Sequence, residues 1–149
     1  MLKEGDKAPD FNLKDAYGNS VKLNDFKGKK LLLYFYPKDN TPGCTKEACN
    51  LRDNIKTIEK ANIKIVGVSF DNQESHKKFT DKYSLPFTLL SDTEKKVANA
   101  YEVYGKKKFL GKEFFGMIRT SFLIDEKGRI KKIFKKVDVN NHSSQVLDN

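Results

Sequence analysis

Two hydrophobic periods alternate along this chain and set out its elements. Phe11-Asn12-Leu13-Lys14 and Val21-Lys22-Leu23 alternate apolar with polar residues, and Asp15-Ala16-Tyr17-Gly18-Asn19 lies between them. That pattern predicts an N-terminal β-hairpin. Three runs, Leu31–Tyr36, Ile63–Phe70 and Ser121–Ile124, are almost continuously apolar and rich in β-branched or aromatic residues. They read as interior strands covered on both faces. Between the first two, Ala48, Leu51, Ile55 and Ile58 recur at spacings of three and four, which predicts a helix with one apolar face. Strand, helix and strand in this order form a parallel crossover. Helical patterns around Ser75–Tyr83 and near Lys95–Tyr101 flank the short run Phe87–Leu90. Thr120–Ile124 and Arg129–Phe134, on either side of Asp125-Glu126-Lys127-Gly128, predict a second hairpin, and a short helix is expected from Ser143. The fold class is α/β: a mixed central sheet flanked by helices.

Nothing divides the chain. Its four prolines (Pro9, Pro37, Pro42, Pro86) fall between periodic segments, and neither a Pro/Gly-rich hinge nor an internal repeat is present, so residues 1–149 are expected to form one domain. No apolar run approaches the roughly 18–20 residues needed to cross a bilayer. The opening Met1-Leu2-Lys3-Glu4-Gly5-Asp6 lacks the apolar stretch of a secretory signal. A cytoplasmic address and no membrane partner are expected. Twenty-nine Lys+Arg against 20 Asp+Glu give a formal charge of +9, a field that favours acidic partners. The lysines lie in short scattered groups with no recognisable nucleic-acid module; they read as a solvated surface, with no nucleic-acid partner. Two cysteines and the separated His76 and His142 cannot supply a four-ligand zinc site unaided, so no metal is expected.

The chemistry concentrates in Tyr36-Pro37-Lys38-Asp39-Asn40-Thr41-Pro42-Gly43-Cys44-Thr45-Lys46-Glu47-Ala48-Cys49, which runs from a strand end into a helix start near Cys44. Reactive groups of open α/β sheets collect at such strand ends. The unpaired N–H groups of a helix's first turn favour negative charge, and the thiolate is the nucleophilic form of a thiol. At about 100° per residue, Cys44 lies on the apolar face and Cys49 about 140° away from it. Five residues of helix also separate their Cα atoms by about 8 Å, beyond the ~7 Å reach of a disulfide. A Cys44–Cys49 bond therefore requires this helix to unwind. A lone cysteine on an apolar face is more often a small core residue. Against that stand the loop Asn40-Thr41-Pro42-Gly43 before Cys44 and the second thiol off the core face.

Three segments carry a resemblance: Gly5-Asp6-Lys7-Ala8-Pro9-Asp10-Phe11; Pro37-x3-Thr41-x2-Cys44 continued by Thr45-Lys46-Glu47-Ala48-Cys49-x-Leu51-Arg52-Asp53; and Arg119-Thr120-Ser121-Phe122-Leu123-Ile124-Asp125. Together they resemble the peroxiredoxin superfamily, in its bacterioferritin-comigratory-protein or peroxiredoxin Q subfamily. The resemblance implies a thioredoxin-like fold and a thiol peroxidase acting on hydrogen peroxide and organic hydroperoxides, with no metal, flavin or nicotinamide. It assigns Cys44 as the peroxidatic cysteine, Thr41 as the hydroxyl contacting it and the peroxide, Pro37 as the ring shielding the pocket, and Arg119 as a cation from a distant strand. Glu47 is assigned to orient Arg119 or nearby backbone. Cys49 matches a resolving position, with recycling by thioredoxin or a similar dithiol donor and action as a monomer. The run Lys106–Lys108 falls where a loop is expected, and His142 reads as a helix-start or surface residue. Two other readings stand beside this one: a redox sensor or relay sharing the same chemistry, and a basic binding module whose cysteines are incidental.

Overall fold

In a computed structural model describing Met1–Asn149, the predicted strands assemble into one seven-stranded sheet, and two strands that the sequence did not predict form a separate ribbon. The elements are β1 (Asn12–Asp15), β2 (Ser20–Lys22), a 3₁₀ turn (Leu23–Phe26), β3 (Lys30–Phe35), α1 (Pro42–Asp53), α2 (Ile55–Lys60), β4 (Ile63–Ser69), α3 (Gln73–Tyr83) and β5 (Thr88–Ser91). They continue with α4 (Lys96–Ala100), β6 (Tyr104–Phe109), β7 (Lys112–Met117), β8 (Thr120–Ile124), β9 (Ile130–Phe134) and α5 (His142–Leu147). The main sheet runs β2-β1-β5-β4-β3-β8-β9. β3, β4 and β5 are parallel, whereas β1, β8 and β9 join antiparallel. The fold is the expected mixed sheet flanked by helices, with its N-terminal hairpin at one edge.

The central strand explains the two layers. Along β3 and the residue after it, Leu31, Leu33 and Phe35 enter one apolar cluster while Leu32, Tyr34 and Tyr36 enter another, as the period of two requires. The first cluster is closed by Val97, Ala98 and Tyr101. The second receives Cys44, Ala48, Leu51, Ile58, Phe79 and Val146. A strand covered on both faces has no polar side to show, so its sequence reads as an apolar run. At Gly67 on β4 a Cβ would stand 2.8 Å from both the Leu89 and Tyr34 side chains; the missing side chain lets the Tyr34 ring lie against the sheet.

Two expectations change. The helix read through Ile58 breaks at Asn54, whose side-chain amide donates to the Asn50 carbonyl at 2.9 Å. A polar side chain capturing a backbone acceptor interrupts the helical ladder, and the apolar period persists because both halves face one cluster. Lys106–Lys108 is not a loop: it lies on β6, paired from Tyr104↔Met117 to Phe109↔Lys112. The ribbon pairs only with itself, so consecutive lysines mask the alternation on which a strand reading depends.

Candidate active site

The segment between β3 and α1 is fixed by a buried polar network. Tyr36 Oη donates to Asp39 Oδ1 at 2.5 Å and Ser75 Oγ to Asp39 Oδ2 at 2.8 Å, while the Asp39 N–H reaches Asp71 Oδ2 at 2.9 Å. His76, fully buried, lies with Nδ1 2.7 Å from Asp39 Oδ2 and Nε2 2.9 Å from the Leu90 carbonyl. A carbonyl only accepts, so Nε2 carries a proton. Asp39, Asp71 and His76 offer ligand atoms within 4.8 Å of one another, a grouping their separation in sequence hides. Their polar atoms are engaged with one another and with neighbouring donors; the network reads as an anchor for the chain entering α1.

α1 begins at Pro42, which lacks the N–H that a first helical residue leaves unpaired. Cys44 is its third residue and 2% exposed. The Arg119 guanidinium comes to it from the Ile118–Arg119 link between β7 and β8, one residue short of the strand on which it was expected. Arg119 Nη2 donates to Cys44 Sγ at 3.3 Å and Nη1 to Glu47 Oε1 at 2.6 Å. Gly43 makes this approach possible, since a Cβ there would stand 3.2 Å from Arg119 Nη2. One turn beyond Cys44, Glu47 projects from the same side of the helix and is fully buried.

Charge at this cluster is set by burial and pairing. Burial pushes the Glu47 carboxyl up to about 7, with Arg119 pulling the other way. Burial alone would lower Arg119, but the Glu47 and Cys44 charges outweigh it and raise its pKa. At 2.6 Å the guanidinium favours the carboxylate and opposes the effect of burial, and burial outweighs it enough to leave Glu47 near 7. Glu47 Oε2 and the Tyr34 hydroxyl are buried without hydrogen-bond partners. Burial first, then the Glu47 and Cys44 charges, raise Tyr34 well above its ordinary range, so its proton stays on.

Other expected residues take different places. The Thr41 hydroxyl donates to the Lys38 carbonyl at 2.9 Å, locking the turn before the helix. Pro37 is half-buried in the segment leaving β3. Cys49 is a free, half-buried thiol on α1, as Cys44 is a free, buried one, so the separation read from helix geometry applies. His142 does begin α5 but is no surface residue: it is fully buried, with Nε2 2.8 Å from Ser121 Oγ and 3.9 Å from Glu47 Oε2. Burial lowers its pKa, partly offset by its Gln145 contact. Lys107 also belongs here. It donates to the Met117 carbonyl at 2.7 Å, and burial and Arg119 lower its pKa while the Cys44 sulfur raises it. The sequence marks neither: His142 stands alone in a polar tail, and Lys107 is one lysine among three. A surface cleft of about 550 Å3 lies among Lys7, Lys22, Lys29, Leu31 and Gly128, toward the opposite end of β3 from Cys44.

A model of the AhpC/TSA family matches residues 4–133. The chain belongs to that family. It is 51% identical over 146 residues to "Peroxiredoxin Bcp" of Bacillus subtilis (98% of this chain, 93% of that one). To "Peroxiredoxin Bcp" of Escherichia coli K12 it is 46% identical over 147 residues (99% and 94%). Among solved structures, a peroxiredoxin Q mutant from Xylella fastidiosa superposes with a TM-score of 0.92 at 31% identity, covering 99% of this chain and 94% of that one. The Xanthomonas campestris bacterioferritin comigratory protein, whose complex structures concern alkyl peroxide reduction, gives 0.86 at 35% identity, covering 93% and 88%. This AhpC/TSA chain is therefore a peroxiredoxin of the Bcp/peroxiredoxin Q kind with a thioredoxin-like fold, and a thiol peroxidase among the oxidoreductases.

Proposed function

We propose that this single-domain peroxiredoxin reduces hydrogen peroxide and organic hydroperoxides through Cys44. The observation that carries the reading is the one guanidinium bonded both to the Cys44 sulfur and to the buried Glu47. The Cys44 thiolate attacks one peroxide oxygen; the O–O bond breaks, sulfur becomes sulfenic acid, and the departing alkoxide or hydroxide takes a proton to leave as alcohol or water. Negative charge grows on the leaving oxygen, and Arg119 with the first N–H groups of α1 supplies donors for it. Glu47 keeps Arg119 aimed, while Thr41 and Pro37 shape the entrance.

The Cys49 thiol then attacks the Cys44 sulfenic sulfur, releasing water and forming an internal disulfide after α1 unwinds. A thioredoxin-like dithiol in the cytoplasm reduces that bond through a mixed disulfide, and the chain works as a monomer. The test is peroxide consumption with a thioredoxin system, together with mass spectrometry after one equivalent of peroxide. Cys44→Ser is expected to abolish consumption; Cys49→Ser is expected to permit one stoichiometric reaction and then stall at the sulfenic acid. Sustained turnover by the Cys44 variant would overturn the reading.

A further inference from the structure

Five of the seven large apolar residues exposed on this molecule lie between Phe109 and Ile118. Four of them belong to the β6–β7 ribbon, which pairs with no other strand. At its tip Phe109 is 67% and Leu110 87% exposed, and Phe115 on the returning strand is 66% exposed. The turn makes this costly twice over. Leu110 and Gly111 take φ of +50° and +78°, the backbone of a type I′ hairpin turn, for which Asn-Gly is the favoured pair. A leucine there bears steric strain as well as solvent exposure.

The surroundings of these apolar groups are basic. Lys106, Lys107, Lys108 and Lys112 stand on the ribbon against one acid, Glu113, which pairs with Lys106 at 2.8 Å. The register places Phe115 with Lys106 on one face, and Phe109 with Lys112 and Phe114 with Lys107 on the other. Apolar side chains therefore occupy both faces and the tip, forming a wedge. Lys106 pairs with Glu113 and Lys107 donates to the Met117 carbonyl, which leaves Lys108 and Lys112 as the cations beside the apolar tip, a charge complement to anionic lipid headgroups. There the apolar tip enters the acyl boundary and the long stems carry the ammonium groups to the phosphates.

We propose that the β6–β7 tip is a docking site for an anionic lipid bilayer. No spanning helix is needed, and no helix here is long and apolar enough to be one; the expectation of no membrane partner, drawn from the lack of a span, does not bear on a surface-seated ribbon. The site is peripheral and reversible, with Phe109, Leu110 and Phe115 as its apolar anchors and Lys108 and Lys112 as its cations. Its β7 strand ends two residues before Arg119, so docking fixes how the cysteine site faces the bilayer.

Co-sedimentation of the full chain with vesicles tests this without peroxide, so it is independent of the peroxidase reading. Binding is expected to vesicles of equal parts phosphatidylcholine and phosphatidylglycerol, to be at least tenfold weaker on phosphatidylcholine alone, and to weaken with added salt. Leu110→Asn, which suits the turn better and keeps the fold, is expected to lower affinity on the order of tenfold, from the lost apolar insertion. Its peroxide consumption in solution stays as in the parent. Lys108→Glu with Lys112→Glu is expected to abolish binding. No binding to the anionic vesicles, or binding that Leu110→Asn leaves intact, would overturn the proposal. So would self-association that Leu110→Asn disperses, because the wedge would then serve a second copy of the chain.

Discussion

At the scale of single residues, the site depends on an absent side chain as much as on those present. Arg119 reaches the Cys44 sulfur across the space a Cβ at residue 43 would crowd. Gly43 lies within a helix at an ordinary φ, where alanine is favoured over glycine by up to about 1 kcal/mol. Gly43→Ala should therefore leave thermal stability unchanged or raised, yet cut the peroxide rate constant by about tenfold or more by shifting a donor aimed at developing charge. Stopped-flow rates beside a melting curve check both halves. A parallel fall in rate and stability would mean that the glycine serves the fold instead. Glycine and arginine were both visible in the sequence; their contact, 76 residues apart along the chain, was not.

At the scale of elements, α1 must be both firm and breakable. Its first turn holds the thiol beside Arg119, but bringing Cys49 to Cys44 requires that turn and part of the next to open. Tertiary ties hold the far half: the Asn50 side chain donates to the Asn140 carbonyl and accepts from the Ser143 N–H, and Arg52 donates to the Tyr83 carbonyl. The clasp stands next to the second thiol. Asn50→Ala is expected to cost about 1–3 kcal/mol of stability, since the N–H of the buried Ser143 loses its acceptor. It should also speed formation of the Cys44–Cys49 disulfide after peroxide, read by quenched mass spectrometry. Slower or unchanged closure would show that opening does not pass through this clasp. The helix itself was plain from its apolar spacing. Its break at Asn54 and its fastening to α5 came from polar side chains that periodicity does not weigh.

At the scale of the whole molecule, the buried Glu47 couples folding to pH. Its carboxyl titrates near 4.5 when solvated and at about 7 in the fold. The native state thus binds the proton more tightly than the unfolded chain does. Its contribution is full below pH 4.5 and is lost as pH rises through about 7. The shift corresponds to about 3 kcal/mol at most. Between pH 4.5 and 7.5, Glu47→Gln should flatten the stability curve relative to the parent by up to that amount. Urea unfolding at a series of pH values measures the difference. Parallel curves would mean that Arg119 already holds Glu47 ionised at the lower pH.

The sequence by itself determined the strands of the main sheet, most helix positions, the layered α/β class and the neighbourhood of Cys44, because each is written in short-range periods of two or 3.6 residues and in turn chemistry. Only the tertiary structure decided which distant side chains meet there. It set Arg119 between Cys44 and Glu47, buried His142 behind them, and closed Asp39, Asp71 and His76 into one network. It also raised a lysine-rich stretch into a ribbon with an apolar tip. Such contacts depend on how the sheet orders its strands and where its loops end, and local patterning carries no information about either.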